Sequence, residues 1–253
     1  MDFELWQYAL GLLAGIVAGI INTLAGNGSS LTLYVLMDIF ALPPTVANAT
    51  NRIGVGLQGF GSLPTLYKSG NIHLKRDKWI YINMCLGSIL GVVAALNISD
   101  EAFRDSYKYI LLLLLGIIVV KPERWLREDQ RANPLPPWLM HLICWIIGFY
   151  GGFIQMGMGL FLLMFLVLGA HYKLKEANGI KNLVTFLYTA ITIGIFAFWA
   201  EIAWTIGLLF GIGQFIGAYL GAKFETSYKN ATIWSYRLLV TVVIIALVRL
   251  FFF

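Results

Sequence analysis

The sequence predicts an all-α polytopic membrane protein: two inverted-topology repeats of about five hydrophobic segments each, with broken or re-entrant half-helices. Three observations predict it. Hydrophobic residues make up 59% of the 253-residue chain and charged residues only 12%, about half the charged share of a soluble domain, so the outer surface has to face lipid. Apolar runs recur along the whole chain, many of them near the roughly 20 residues that cross a bilayer. A polar, basic patch opens an apolar run twice, at Ala47–Arg52 and at Ala177–Asn182, about 130 residues apart.

The first segment runs from about Leu5 to Leu24 and carries Gly11, Gly15 and Gly19, a four-residue spacing that lets helices approach closely. It breaks at Ala25-Gly26-Asn27-Gly28-Ser29-Ser30. The second, about Leu31 to Phe40, is too short to span at ~1.5 Å per residue and is closed by Pro43-Pro44. The third, about Val46 to Tyr67, opens with the first basic patch, and a basic loop follows at 68–78. The fourth is about Trp79 to Leu96, a charged loop covers 97–108, and the fifth is about Tyr109 to Val120. Residues 121–137 read as a cytoplasmic linker ended by Pro134, Pro136 and Pro137. It divides a first repeat, 1–120, from a second, 138–253.

The second repeat follows the same plan. Segment six (about Trp138 to Met156) breaks at Gln155-Met156-Gly157-Met158-Gly159, and segment seven (about Leu160 to Gly169) is again short. Segment eight, about Ala177 to Ala200, opens with the second patch; segments nine and ten are about Ile202 to Ala222 and Thr232 to Phe253. With the N-terminus outside, the loops at 68–78, 121–131, 171–176 and 223–230 lie inside and hold twelve of the 18 Lys and Arg, against Arg104 and Lys108 in the outer loops. This is the positive-inside asymmetry. An odd number of segments per half inverts the second repeat, a plan common among secondary transporters, with the site at the repeat interface. The start, Met1-Asp2-Phe3-Glu4, is acidic, unlike that of a cleaved signal peptide.

Four cations lie outside the loops. Arg237 and Arg249 stand near the ends of segment ten and can snorkel. Arg52 and Lys181 are left, each about a turn and a half into its segment. They read either as snorkelling or carbonyl-bound residues or as ligands of an anion. Asn48, Asn51 and Arg52 are spaced i, i+3, i+4, as are Asn178, Lys181 and Asn182, with Thr185 continuing the second stripe. Such a stripe faces protein or a cavity, and amides, hydroxyls and cations are donors suited to an oxyanion. The order is swapped, Asn51-Arg52 against Lys181-Asn182, which predicts an asymmetric pocket. Asn27, Ser29 and Ser30 at the first break, with Asn22 and Gln155 beside the breaks, complete the expected substrate-binding set. Asp38 and Glu176 are the carboxylates near the patches and the candidates for proton coupling.

Other classes find no support. His73, His141 and His171 lack metal-ligand spacing, and no metal or cofactor is expected. There is no phosphate-cradling loop, zinc-protease motif or nucleophile elbow, so no enzymatic activity is expected. Cys85 and Cys144 lie in apolar runs and read as core residues. The net charge of +5 is explained by basic cytoplasmic loops rather than by nucleic acid. The expected partners are a small anion and the lipid bilayer; a homo-oligomer is compatible with the sequence. An anion channel and a non-transporting interaction subunit are the alternative readings.

The glycine breaks carry a resemblance. Gly15-Ile16-Val17-Ala18-Gly19, then Ala25–Ser30, then Leu42-Pro43-Pro44-Thr45-Val46-Ala47-Asn48-Ala49-Thr50, with Gly148–Gly152, Gly157-Met158-Gly159 and Lys68–Ile72, make the chain similar to the TauE/SafE family of sulfite and organosulfonate transporters. Ser29-Ser30 and Met158 stand where that family often has further glycines. The resemblance implies secondary transport of sulfite or a small organosulfonate across a bacterial-type inner membrane; members of the family face both ways, and export is the direction expected here.

Overall fold

In lipid every backbone N–H and C=O has to be satisfied within the chain, which selects helices, and glycine and proline set where these end. The computed structural model describes residues 3–119 and 135–228, together with Ile233, Trp234, Arg237 and Thr241. The expected linker, apart from 135–137, and nearly all of segment ten lie outside the described residues. Among the described residues the elements are α1 (Leu5–Ala25), α2 (Gly28–Tyr34), α3 (Pro44–Lys68), α4 (Lys78–Leu96), α5 (Asp100–Val119), α6 (Pro137–Phe153), α7 (Met158–Met164), α8 (Leu174–Trp199) and α9 (Trp204–Ser227). Of these, α1, α4, α8 and α9 are long and apolar enough to cross a membrane.

The short segments are built alike. Gly26 stops α1 in the left-handed region, at φ 80°, and Gly157 precedes α7 at φ 70°, a conformation glycine adopts without steric cost. Each short helix runs on into a π-helical turn, Val35–Ile39 and Phe165–Gly169. The turns close with equivalent bonds, Phe40 N–H to Val35 O and Ala170 N–H to Phe165 O. Each is followed by a left-handed non-glycine residue, Ala41 and His171. The short helices, the π turns and the helices that follow are each displaced by 130 positions: 28 to 158, 35 to 165, 44 to 174. The first short segment doubles back along α1, because Gln7 Nε2 donates to Ile39 O at 3.0 Å and the Phe3 and Phe40 rings meet at 4.9 Å.

Two stretches expected as loops are helical. α5 starts at Asp100, not at Tyr109, because Phe103 and Tyr107, four residues apart, are buried on one face and Asp100 and Glu101 suit the positive end of a helix. α9 continues through Lys223–Ser227, where the polar sequence hides an unbroken backbone ladder.

Helices are exchanged between the halves. α9 runs parallel to α1, so close that a methyl group on Gly19 would sit 2.4 Å from Gln214 O. α4 runs parallel to α6 in the same way, with Gly152 against Ser88 O. At the centre α3 and α8 are antiparallel: Gly59 meets Phe186, Gly56 meets Ile193, and Ala203 N–H donates to Thr50 Oγ1 at 3.0 Å. One apolar core gathers Ile21, Leu36, Phe40, Phe103 and Phe210; a second gathers Met84, Ile147, Leu162, Ile180 and Tyr188. Leu13, Leu86, Leu90, Ile146 and Ile212 are exposed on the outer surface, which is where lipid-facing residues belong.

Candidate functional site

The two breaks meet back to back. A Cβ on Gly26 would lie 2.4 Å from the Gly159 carbonyl carbon, and one on Gly159 would lie 2.6 Å from Gly26 Cα. Against this junction α3 and α8 lay their polar stripes, and the side chains of Asn48, Asn51, Arg52, Asn178, Lys181 and Asn182 are all buried.

Both cations reach the ends of broken helices. Arg52 donates through Nη1 to Gly151 O at 2.6 Å and through Nη2 to Gly152 O at 2.8 Å and Asn48 Oδ1 at 3.4 Å. Asn48 Nδ2 takes the next carbonyl, Phe153 O, at 2.9 Å, and the Phe196 ring faces the guanidinium at 5.5 Å. These carbonyls belong to the last turn of α6, where the helix leaves acceptors unused and carries its negative dipole end. In the other half, Lys181 Nζ donates to Asn22 O at 2.8 Å and Thr23 O at 2.6 Å, and Asn182 Nδ2 adds a bond to Thr23 O at 3.2 Å. That is the last turn of α1. Each crossing helix thus caps the broken helix of the opposite half. The swapped order leaves Arg52 and Lys181 one position out of register, yet both find the same kind of partner.

Between the breaks lies a small polar cavity with room for about one water. Its walls are the side chains of Asn22, Gln58, Gln155, Lys181, Asn182, Thr185 and Tyr188, with Met158 and the backbones of Gly26 and Gly159. Lys181 is the one charged residue of this lining and no carboxylate belongs to it. Asn22 Nδ2 donates to Gln58 Oε1 at 2.8 Å, and its Oδ1 accepts from Gly28 N–H at 3.3 Å. Gln155 Nε2 donates to Thr189 Oγ1 at 2.9 Å and Tyr188 Oη at 3.2 Å, while Gln155 Oε1 accepts from Asn51 Nδ2 at 3.4 Å.

Five of the sequence-selected residues therefore share one cavity: Asn22, Gln155, Lys181, Asn182 and Thr185. Asn51 joins it through Gln155. Arg52 and Asn48 stand behind it on α6. Asn27, Ser29 and Ser30 are buried at the start of α2, where Ser30 donates to Asn27, and Asn27 Nδ2 and Ser29 Oγ have no partner among the described residues. Asp38 lies exposed on the first π turn. Glu176 pairs with Arg76 at 3.0 Å, in a cluster that ties the 69–77 loop to the turn before α8. There Tyr172 Oη donates to Asp77 Oδ1 at 2.9 Å. The hydrogen bonds that Arg76 donates to the Asp77 carboxylate hold its guanidinium above its usual range, and burial pushes the Tyr172 hydroxyl up. Asn178 turns from the cavity to donate to Glu225. Sequence reading missed Glu225 because it fell in an expected loop. The available signal is its spacing, i+7 and i+3 from the fully buried Ala218 and Ala222.

A multi-pass helical chain with exchanged helices and a small polar cavity at the junction of two broken helices has the build of a membrane transporter. The chain belongs to the family described as Sulfite exporter TauE/SafE, which it matches over residues 11–250. It is 28% identical over 233 residues to the probable membrane transporter protein ORF9 of a Sinorhizobium species, covering 92% of this chain and 88% of that one. A probable membrane transporter protein of Haemophilus influenzae is also 28% identical, over 226 residues, 88% of this chain and 87% of the relative. The probable membrane transporter protein YfcA of Escherichia coli K12 is 25% identical over 222 residues, 86% of this chain and 81% of the relative. No solved structure matches the chain.

Proposed function

We propose that this protein is a secondary transporter that moves sulfite or a small organosulfonate anion across the inner membrane. Alternating access operates at a site between two inverted repeats. The observation that carries the reading is the cavity lining: one lysine, amides and hydroxyls, with no carboxylate. Such a wall offers donors to a trigonal or tetrahedral oxyanion and lacks the negative counter-charge that the ammonium group of a zwitterion would need. The constant 130-residue displacement and the antiparallel α3 and α8 support the inverted repeat. The basic loops support an N-terminus outside. A cavity that holds about one water is smaller than the substrate; this favours a carrier caught closed over a channel with a standing pore. Export is the favoured direction, because an inside-negative potential drives a monoanion outward by ~2.3 kcal/mol per 100 mV.

The test is flux from proteoliposomes loaded with sulfite, ethanesulfonate, sulfate or acetate. Saturable flux of sulfite or ethanesulfonate that exceeds acetate flux is expected. Equal flux of all four anions, or none of any, overturns the proposal.

A further inference from the structure

We propose that Glu225 is a built-in competitor for the substrate anion, so that anion binding at this site is linked to protonation of its carboxylate. The inference rests on the anion-site reading above. Glu225 lies in the last turns of α9, half-buried, and accepts a hydrogen bond from Asn178 Nδ2. Asn178 is joined to the cavity wall: its backbone O and its Oδ1 accept from Asn182 Nδ2 at 2.9 and 3.4 Å. Asn182 and Lys181 both donate to Thr23 O. One hydrogen-bonded chain therefore runs from the carboxylate to the two cavity residues best suited to hold an oxyanion.

The charged groups that bear on Glu225 are Lys181 and Lys175, both from α8. α1 and α3 pack along α9; α3 ends in Lys68 near the same end of the bundle, and Glu225's own helix adds the exposed Lys223 two positions away. It takes part in no ion pair among the described residues. An ionised carboxylate is an acceptor-only oxyanion, as a sulfonate is. While Glu225 is ionised it engages the Asn178 amide and offsets the positive field of the two lysines. Protonation removes that negative charge, so proton and anion favour each other's binding, and by linkage each raises the other's affinity by the same factor.

The test uses purified wild-type protein and E225Q with ethanesulfonate, an anion that stays ionised from about pH 5.5 to about pH 8.5. Calorimetry in two buffers of different ionisation enthalpy reads both the Kd and the protons taken up. In the wild type Kd rises by up to about tenfold per pH unit across the range in which the carboxylate titrates, with up to about one proton taken up per anion. E225Q binds with a flat pH profile and no proton uptake. Wild-type binding that is flat with pH, or a slope that survives in E225Q, overturns this inference and leaves the anion site standing. Absence of ethanesulfonate binding to both proteins at every pH overturns the anion site and this inference together. Should E225Q fail to fold, the wild-type proton count decides alone.

Discussion

Replacing Lys181 with methionine separates what this cation does for the anion from what it does for the fold. Methionine keeps the length and much of the volume of the side chain, so the packing around α8 survives. The change removes the bonds from Nζ to Asn22 O and Thr23 O. Neither carbonyl is orphaned, because Gly26 N–H still donates to Asn22 O at 3.0 Å and Asn182 to Thr23 O at 3.2 Å. The change also relieves the desolvation of a buried charge, so stability moves by less than about 2 kcal/mol. Affinity behaves differently: Lys181 is the charged residue of the cavity wall, and deleting one partner of a buried charge contact costs about 2–5 kcal/mol, a loss of about 30-fold or more. Arg52→Met gives the opposite pattern. The N–H groups that would have reached Gly151 O and Gly152 O, those of Gln155 and Met156, point to Tyr150 O and Ile154 O instead. Without Arg52 two buried carbonyls lose their partner, at about 1–3 kcal/mol each, while the cavity lining keeps its charge. Ethanesulfonate titration by calorimetry and thermal melting in detergent read the two effects. Sulfonate affinity of Lys181→Met within about threefold of the wild type, or a melting loss as large as that of Arg52→Met, refutes this division of roles.

Gly26→Ala forces a left-handed residue and drives a methyl group into the Gly159 backbone at 2.4 Å; a loss of about 3 kcal/mol or more is expected, read as a collapse in folded yield on size exclusion. Gln155→Leu removes the bridge among Asn51, Tyr188 and Thr189; sulfonate affinity falls by about tenfold, for roughly one net hydrogen bond, while the protein still folds. Arg76→Ala breaks the ion pair with Glu176, but the Arg76 side chain is 45% exposed, so stability falls by less than about 1 kcal/mol. Raising the salt concentration narrows that difference in melting temperature, because surface charges are screened.

The two basic patches, the glycine breaks and the shortness of the second and seventh segments were all legible in the sequence, because charge, glycine and length are local properties. Helix starts were less legible where polar residues lie on a helix. Asp100–Lys108 reads as a loop by hydropathy, yet Phe103 and Tyr107 turn it into one face of α5, with Tyr107 Oη donating to Ser30 O at 3.1 Å. Lys223–Ser227 hid Glu225 in the same way. The polar stripes were legible as stripes. Their partners were not, since the carbonyls of Gly151 and Thr23 are 99 and 158 residues away from Arg52 and Lys181.

By itself, then, the sequence determined that this chain lives in lipid, that its helices break twice at glycine, and that a cation follows each break inside an apolar segment. These follow from composition and from spacings of a few residues, which act within a single helix. Only the tertiary structure decided where the cations point. α3 and α8 cross so that each caps the broken helix of the other half, and Lys181 but not Arg52 reaches the cavity lining. The physical reason is that a helix end leaves carbonyl oxygens that nothing in its own segment can satisfy. Which distant donor answers them depends on how the helices pack.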